Sequence, residues 1–327
     1  MVVQKTVILF TFLCFSFSSR PQDTTAPKQA AFNSLSNQDS TLISFERTDK
    51  RRVALVFGST AAIWTGSVLT LSKAWYPAYT RSPFHLFNDN REWNQMDKWG
   101  HLWTTYHMTR LSTESWKWTG MTHRKSVILG SITALAFQSI IEVQDGFSTK
   151  WGFSGGDMTA NMIGAGGFVV QELGWKDQRL QFKLSYSSYS CPPELIARRD
   201  QLFGVGFLER ILKDYNAQTY WVSGNIHSFF PTSPVPSWLN VSIGYGSDGM
   251  YGGFENKWKD KAGAHHNRTD IRRVRRFFIA PDIDLTRIRT RSKWVRTIFF
   301  TVNMIKFPAP AVELNSRGKV KMHMLYF

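Results

Sequence analysis

Three short stretches set ionisable and amide side chains into otherwise apolar sequence. They read Asp97-Lys98-Trp99-Gly100-His101, Glu142-Val143-Gln144-Asp145-Gly146-Phe147, and Gly152 to Ala165, the last carrying Asp157 and Asn161. Asp97 and His101 are four residues apart, Glu142 and Asp145 three, Asp157 and Asn161 four. On a helix each pair shares a face. Ionisable groups are costly in hydrocarbon or a dry core unless they find partners. Three such helices satisfy their polar groups most cheaply by packing them together. The expected centre holds the four carboxylates, one imidazole and one amide, with Lys98 beside them.

Two kinds of chemistry fit that set. Convergent carboxylates and imidazole can bind a divalent cation, whose bound water could hydrolyse an ester. Glu142, Asp145 and His101 would then be the catalytic residues, with Glu142 as general base. Alternatively, Lys98 and His101 neutralise the acids. Asp97, Lys98, Asp157 and Asn161 then lock the helices in register or hold a small ligand. Spacing alone names no particular metal. No organic cofactor is implied, since the chain has no phosphate-cradling glycine loop, nucleophile elbow or zinc-protease motif. His107 is six residues from His101 and falls on another face, and His265-His266 sits in a charged, solvated loop.

The elements that must position these residues follow from hydropathy. Val53–Ser72 is 20 residues without a charge, enough to cross a bilayer. Ser126–Ile141 is a second uncharged run of 16 and Met158–Gln171 a third of 14. Both are short for independent spans and suit helices packed on the first, small residues allowing close approach. Met96–Leu111 reads as an aromatic-rich amphipathic helix. Ahead of these, residues 1–20 have the form of an export signal, with Lys5 before an apolar stretch. Residues 21–49 form a polar tether.

Beyond residue 175 the periodicity changes from helical to alternating. Leu180–Tyr186, parts of Thr219–Ile226 and Trp238–Tyr245, Phe277–Leu285 and Lys319–Phe327 read as strands. Lys293–Ile305 reads as a short amphipathic helix, and the Pro-rich 231–236 and Gly-rich 244–253 stretches as turns. The strands are too few and too irregular for a regular outer-membrane barrel. The expected fold is α+β: a membrane-associated helical bundle over 50–175, then a basic, β-containing region over 176–327.

Charge is uneven. Of the net +16, residues 1–175 carry 16 Lys+Arg against 12 Asp+Glu, and residues 176–327 carry 24 against 12. The basic half can meet an anionic lipid or glycan. Nucleic acid is not expected, because no zinc-finger, helix-turn-helix or RNA-recognition pattern accompanies it. The 13 Trp and 25 Phe suit a membrane boundary, and membrane lipid is the expected partner. With only Cys14 and Cys191, and Cys14 inside the leader, no internal disulfide framework or cysteine metal site forms.

At Asp97-Lys98-x-x-His101, Glu142 and Asp157-x-x-x-Asn161-x-x-Gly164-Ala165 the chain resembles the VanZ-like superfamily. More closely, Glu142–Ala165 is similar to the YfiM-like predicted periplasmic lipoproteins. Tyr220-Trp-Val-Ser, Gly244-Tyr245 and Phe307-Pro-Ala-Pro resemble the extended form found in Bacteroidota. The chain departs from the lipoprotein description at Cys14, because Thr11-Phe12-Leu13 lacks the small residues that lipid attachment requires. The resemblance implies a cell-envelope membrane protein, at the inner membrane or its periplasmic face or at the outer membrane, and names no reaction. Two functions follow. One is a non-enzymatic component whose polar cluster stabilises the bundle or binds a small ligand. The other is a hydrolase-like membrane enzyme acting on a lipid or cell-wall intermediate.

Overall fold

The computed structural model describes residues 48–74, 81–260 and 262–327. The export signal and nearly all of the tether lie outside the described residues. The fold is α+β, as expected. Helices α1 (Lys50–Ala74), α2 (Met96–Trp118), α3 (His123–Gly146) and α4 (Gly155–Gly174) come first. The three uncharged runs lie in α1, α3 and α4. Helix α2 runs past Leu111 to Trp118, so the amphipathic pattern marks only its first part.

Helix α2 is the axis of the bundle, with α3 and α4 packed along it. Glycine permits that approach at two crossings. A Cβ on Gly164 of α4 would collide with the carbonyl oxygen of Leu102, and one on Gly130 of α3 would lie 2.7 Å from the Thr113 nitrogen. Helix α1 stands mostly apart. It touches the bundle where Trp64 meets Phe137, with ring centroids 5.5 Å apart, and where the Asp49 N–H donates to the Thr119 carbonyl at 2.8 Å. Of its apolar stretch only 6% is buried.

A left-handed turn feeds α2. Trp93, Asn94 and Gln95 have φ of 49°, 50° and 63°. Each such residue costs about 1–2 kcal/mol, so the surroundings must hold it. They do. The Trp93 N–H donates to Gly253 at 2.8 Å, Tyr245 donates its hydroxyl to the Asn94 carbonyl at 2.6 Å, and Asn94 Nδ2 donates to Ser247 Oγ at 2.8 Å. The turn aims the first residues of α2, Asp97 and Lys98, into the bundle.

The remaining elements are β1 (Leu180–Tyr186), α5 (Ile196–Phe203), α6 (Phe207–Lys213), β2 (Gln218–Asn225), α7 (Ile226–Phe229), β3 (Leu239–Asp248), β4 (Lys257–Lys259), β5 (His265–Asn267), β6 (Val274–Ile283), α8 (Lys293–Val302), β7 (Ala309–Asn315) and β8 (Val320–Tyr326). Six of the strands form one antiparallel sheet in the order β1-β2-β3-β6-β7-β8, and β4-β5 is a separate ribbon. The segment between α8 and β7 returns to β1: the Leu184 N–H donates to the Met304 carbonyl at 3.0 Å and the Lys306 N–H to the Leu184 carbonyl at 2.9 Å.

The strand expected over Trp238–Tyr245 forms and runs on into the Gly-rich stretch expected as a turn. Gly244 and Gly246 lie within β3, and the turn begins at Gly249, where φ is 71°. Trp221 on the neighbouring strand explains the first glycine, since a Cβ there would stand 2.7 Å from the indole. The irregular strand spacing also has a cause: α7 with the proline loop, and the β4-β5 ribbon, interrupt successive hairpins. Helix α2 lies on β1 and β2, with Tyr106 edge-on to Phe182 at 5.1 Å and His107 Nε2 2.7 Å from the Phe182 carbonyl. One apolar core joins Trp93, Met96, Trp103 and Phe137 of the helical part to Leu184, Tyr215 and Tyr220.

Candidate functional site

The polar residues of α2, α3 and α4 do converge. Asp97 and Asp157 each sit in the first turn of a helix, where the exposed N–H groups favour a negative charge. Lys98 Nζ lies 2.7 Å from Asp89 Oδ1, 2.7 Å from Asp157 Oδ1 and 3.5 Å from Asp97 Oδ2. Ser154 caps α4 by accepting from the Asp157 N–H at 3.0 Å and donates its hydroxyl to Asp89 at 2.6 Å. Tyr215, far along the chain, donates to Asp97 Oδ1 at 2.7 Å. Three carboxylates therefore surround one ammonium.

His101 stands next to this cage. Its Nδ1 is 3.3 Å from Asn161 Oδ1, which also accepts from Thr105 Oγ1 at 2.7 Å and Gln138 Nε2 at 3.2 Å. An oxygen collecting donors assigns the proton on that side of the ring to Nδ1. Nε2 then faces Asp97 Oδ2 at 3.9 Å and Asp157 Oδ1 at 3.7 Å, both beyond hydrogen-bond length. One ligand atom from each of Asp97, His101 and Asp157 lies within 4.8 Å of the others. That spacing leaves room for a small bridging species. Glu142 Oε1 is 3.8 Å from Nδ1 on the other side of the ring.

Among the described residues of the centre, carboxylates are the more numerous charges. Asp89, Asp97, Asp157 and Glu142 face one lysine and one imidazole. Burial raises the pKa of Asp157 well above 3.8, and repulsion from Asp97 adds to it in spite of Lys98. Burial works against the Lys98 charge, but Asp97, Asp157 and Asp89 outweigh it and push its pKa up. Glu92 is raised from 4.5 to about 7 by burial and by the charges of Asp97 and Asp89. The shifts agree physically: the lysine answers to three acids, and those acids repel one another. An excess of buried negative charge calls for a proton or a cation.

Of the residues singled out by sequence, Asp97, Lys98, His101, Glu142, Asp157 and Asn161 meet in one place. Asp145 is buried on α3 a turn beyond Glu142. His107 is buried against the sheet, where burial and the nearby Arg110 charge lower its pKa to about 3. Sequence reasoning missed Thr105, Gln138, Asp89, Ser154 and Tyr215. Thr105 and Gln138 were within reach, each four residues from a residue already chosen. Asp89 and Tyr215 come from outside the helices and gave no periodic signal.

Residues 86–172 match the family described as predicted periplasmic lipoprotein (DUF2279). No curated protein and no solved structure matches the chain. The matched segment contains every residue of the centre except Tyr215. The likeness supports a cell-envelope protein on the periplasmic side.

Proposed function

We propose that this chain is an envelope component anchored in a membrane by α1, whose centre between α2, α3 and α4 takes up a small divalent cation. The observation that carries the reading is His101 Nε2 held toward Asp97 and Asp157 while Nδ1 lies 3.3 Å from Asn161 Oδ1. Imidazole with two carboxylates suits a borderline ion such as Zn²⁺ or Mn²⁺. Asn161, Tyr215 and Lys98 would orient the ligands from behind, as supporting groups do in metal centres. Kinship with the VanZ-like proteins belongs to the same proposal and rests on Asp97-Lys98-x-x-His101 and Asp157-x-x-x-Asn161. The anchor rests on the apolar, largely uncovered surface of α1. Recovery of the chain in the soluble fraction after osmotic shock would end that part.

The test is calorimetric titration of the chelator-treated full chain in detergent with Zn²⁺ and with Mn²⁺. One saturable site is expected, lost in Asp157→Asn and in His101→Ala. No saturable uptake by the wild-type chain would leave the second reading, a charge lock. That reading is favoured by Lys98 standing 2.7 Å from both Asp89 and Asp157. Hydrolysis is a further step on the same site, with Glu142 as base. It requires that Glu142→Gln remove turnover of a lipid or cell-wall intermediate while cation uptake persists.

A further inference from the structure

The sheet is built inside out. Lys183, Ser185, Ser223, Asn240, Ser242 and Asp282 point inward and are buried, beside the aromatic cluster of Trp221, Phe278 and Tyr326. On the opposite face Ile243, Ile279, Val312 and Met322 line up across β3, β6, β7 and β8 in direct register. The adjacent row is Tyr245, Phe277, Leu314 and Val320. Both rows continue across β2 and β1 to Phe182, Leu184 and Tyr220, where α2 covers this face and Tyr245 packs against the helical part; the uncovered part begins beyond them. Ile243 is 64%, Ile279 53% and Met322 68% exposed. A sheet with one face in water ordinarily alternates the other way, apolar inward and polar outward. Polar interiors with apolar exteriors belong to strands whose outer solvent is lipid.

We infer that the outward face of β3, β6, β7 and β8 is a lipid-contacting surface seated in the hydrocarbon of a bilayer. Its dimensions fit. The open outward residues Leu239 to Ile243 of β3 run roughly 14 Å along the strand at about 3.4 Å per residue. One leaflet offers about 15 Å of hydrocarbon, half of the whole core. The ends of the apolar band are dressed for headgroups. Exposed Arg272, Arg275, Arg317 and Lys319 stand at one end. Exposed Arg289, Arg291 and Lys293, with Trp238 and Phe307, stand at the other. Basic and aromatic residues collect at that depth of a membrane, next to anionic lipid. A second protein chain on this face would account for the apolar rows. It would not account for the charged interior or for basic residues at both ends.

The inference does not depend on the cation or on α1, which would hold the chain to a membrane with the sheet still in water. The test therefore reads the sheet itself. Single cysteines replace Ile279, Val312 or Ser316 in a full-length background with Cys14→Ser and Cys191→Ser. Each is labelled with bimane and reconstituted in phosphatidylethanolamine–phosphatidylglycerol vesicles, with or without brominated acyl chains. Labels at 279 and 312 are expected to lose most of their emission to the brominated chains, and the label at 316, in the β7–β8 turn, to keep its own. Equal emission at all three positions overturns the inference, as does disulfide cross-linking of two chains through position 279 without quenching. A folded Ile279→Glu variant that enters vesicles with its sheet still protected from protease would also overturn it.

Discussion

Both halves of the molecule bury charge, and they do so differently. In the sheet, Lys183 and Asp282 form a fully buried pair at 2.8 Å. Lys183 also donates to the Ile283 carbonyl at 2.7 Å and to Asn303 Oδ1 at 3.3 Å, while Ser223 donates to Asp282 at 2.6 Å. All three Lys183 ammonium donors have acceptors, and Asp282 answers its charge, with the buried Lys306 ammonium nearby set over the Trp221 ring. At the helical centre, among the described residues, Asp89, Asp97, Asp157 and Glu142 lie around one lysine and one imidazole, and His101 Nε2 stands beyond hydrogen-bond length from both acids that it faces. Asn161 Nδ2, fully buried, has no hydrogen-bond partner among the described residues. A saturated network is finished as structure. An unsaturated one at a strained turn is where a ligand can still be gained.

The largest test of that contrast is removal of one partner of the saturated pair. Lys183→Ala should cost about 3–5 kcal/mol in denaturant unfolding, because it strands a buried carboxylate. The isosteric Asp157→Asn in cation-free protein should cost no more than ~1 kcal/mol, since a lost bond to Lys98 is offset by relieved repulsion. Equal losses would erase the distinction between the halves. Next in size is Gly164→Ala, which forces α4 off the Leu102 carbonyl and should cost about 1–3 kcal/mol. Because α4 carries Asp157 and Asn161, it should also weaken cation uptake, an effect that Lys183→Ala should not have.

The smallest effect is pH dependence. Glu92 and Asp157 hold a proton more tightly in the folded chain than in the unfolded one. The stability they add is complete below their ordinary values, 4.5 for Glu92 and 3.8 for Asp157, and is lost as pH rises, through about 7 for Glu92. Melting of the cation-free chain should therefore fall between about pH 4.5 and 7. Glu92→Gln should flatten part of that slope and a bound divalent cation another part. A melting temperature that rises over that interval would contradict the excess of negative charge.

Much of this was legible in the residues. Uncharged runs gave α1, α3 and α4, alternation gave β1 and the C-terminal strand, and i,i+4 spacing gave the faces that carry Asp97, His101, Asp157 and Asn161. The Gly-rich part of β3 was illegible, because its glycines answer to Trp221 on another strand. The rows Ile243–Ile279–Val312–Met322 were equally hidden. Alternation tells two faces apart and leaves open which of them is inside.

Sequence by itself determined the helical and β-rich halves, the location of basic charge and the polar set on the helices, since these depend on local periodicity and composition. Tertiary structure decided which groups meet. Asp89 and Tyr215 join the centre because the loop ahead of α2 and the distant turn between α6 and β2 bring them there. The charged face of the sheet lies inward because Lys183, Asp282, Ser223 and Asn303 satisfy one another only in that arrangement. Pairing energies of this kind depend on distances of a few ångström between residues far apart in the chain, and no local pattern encodes those distances.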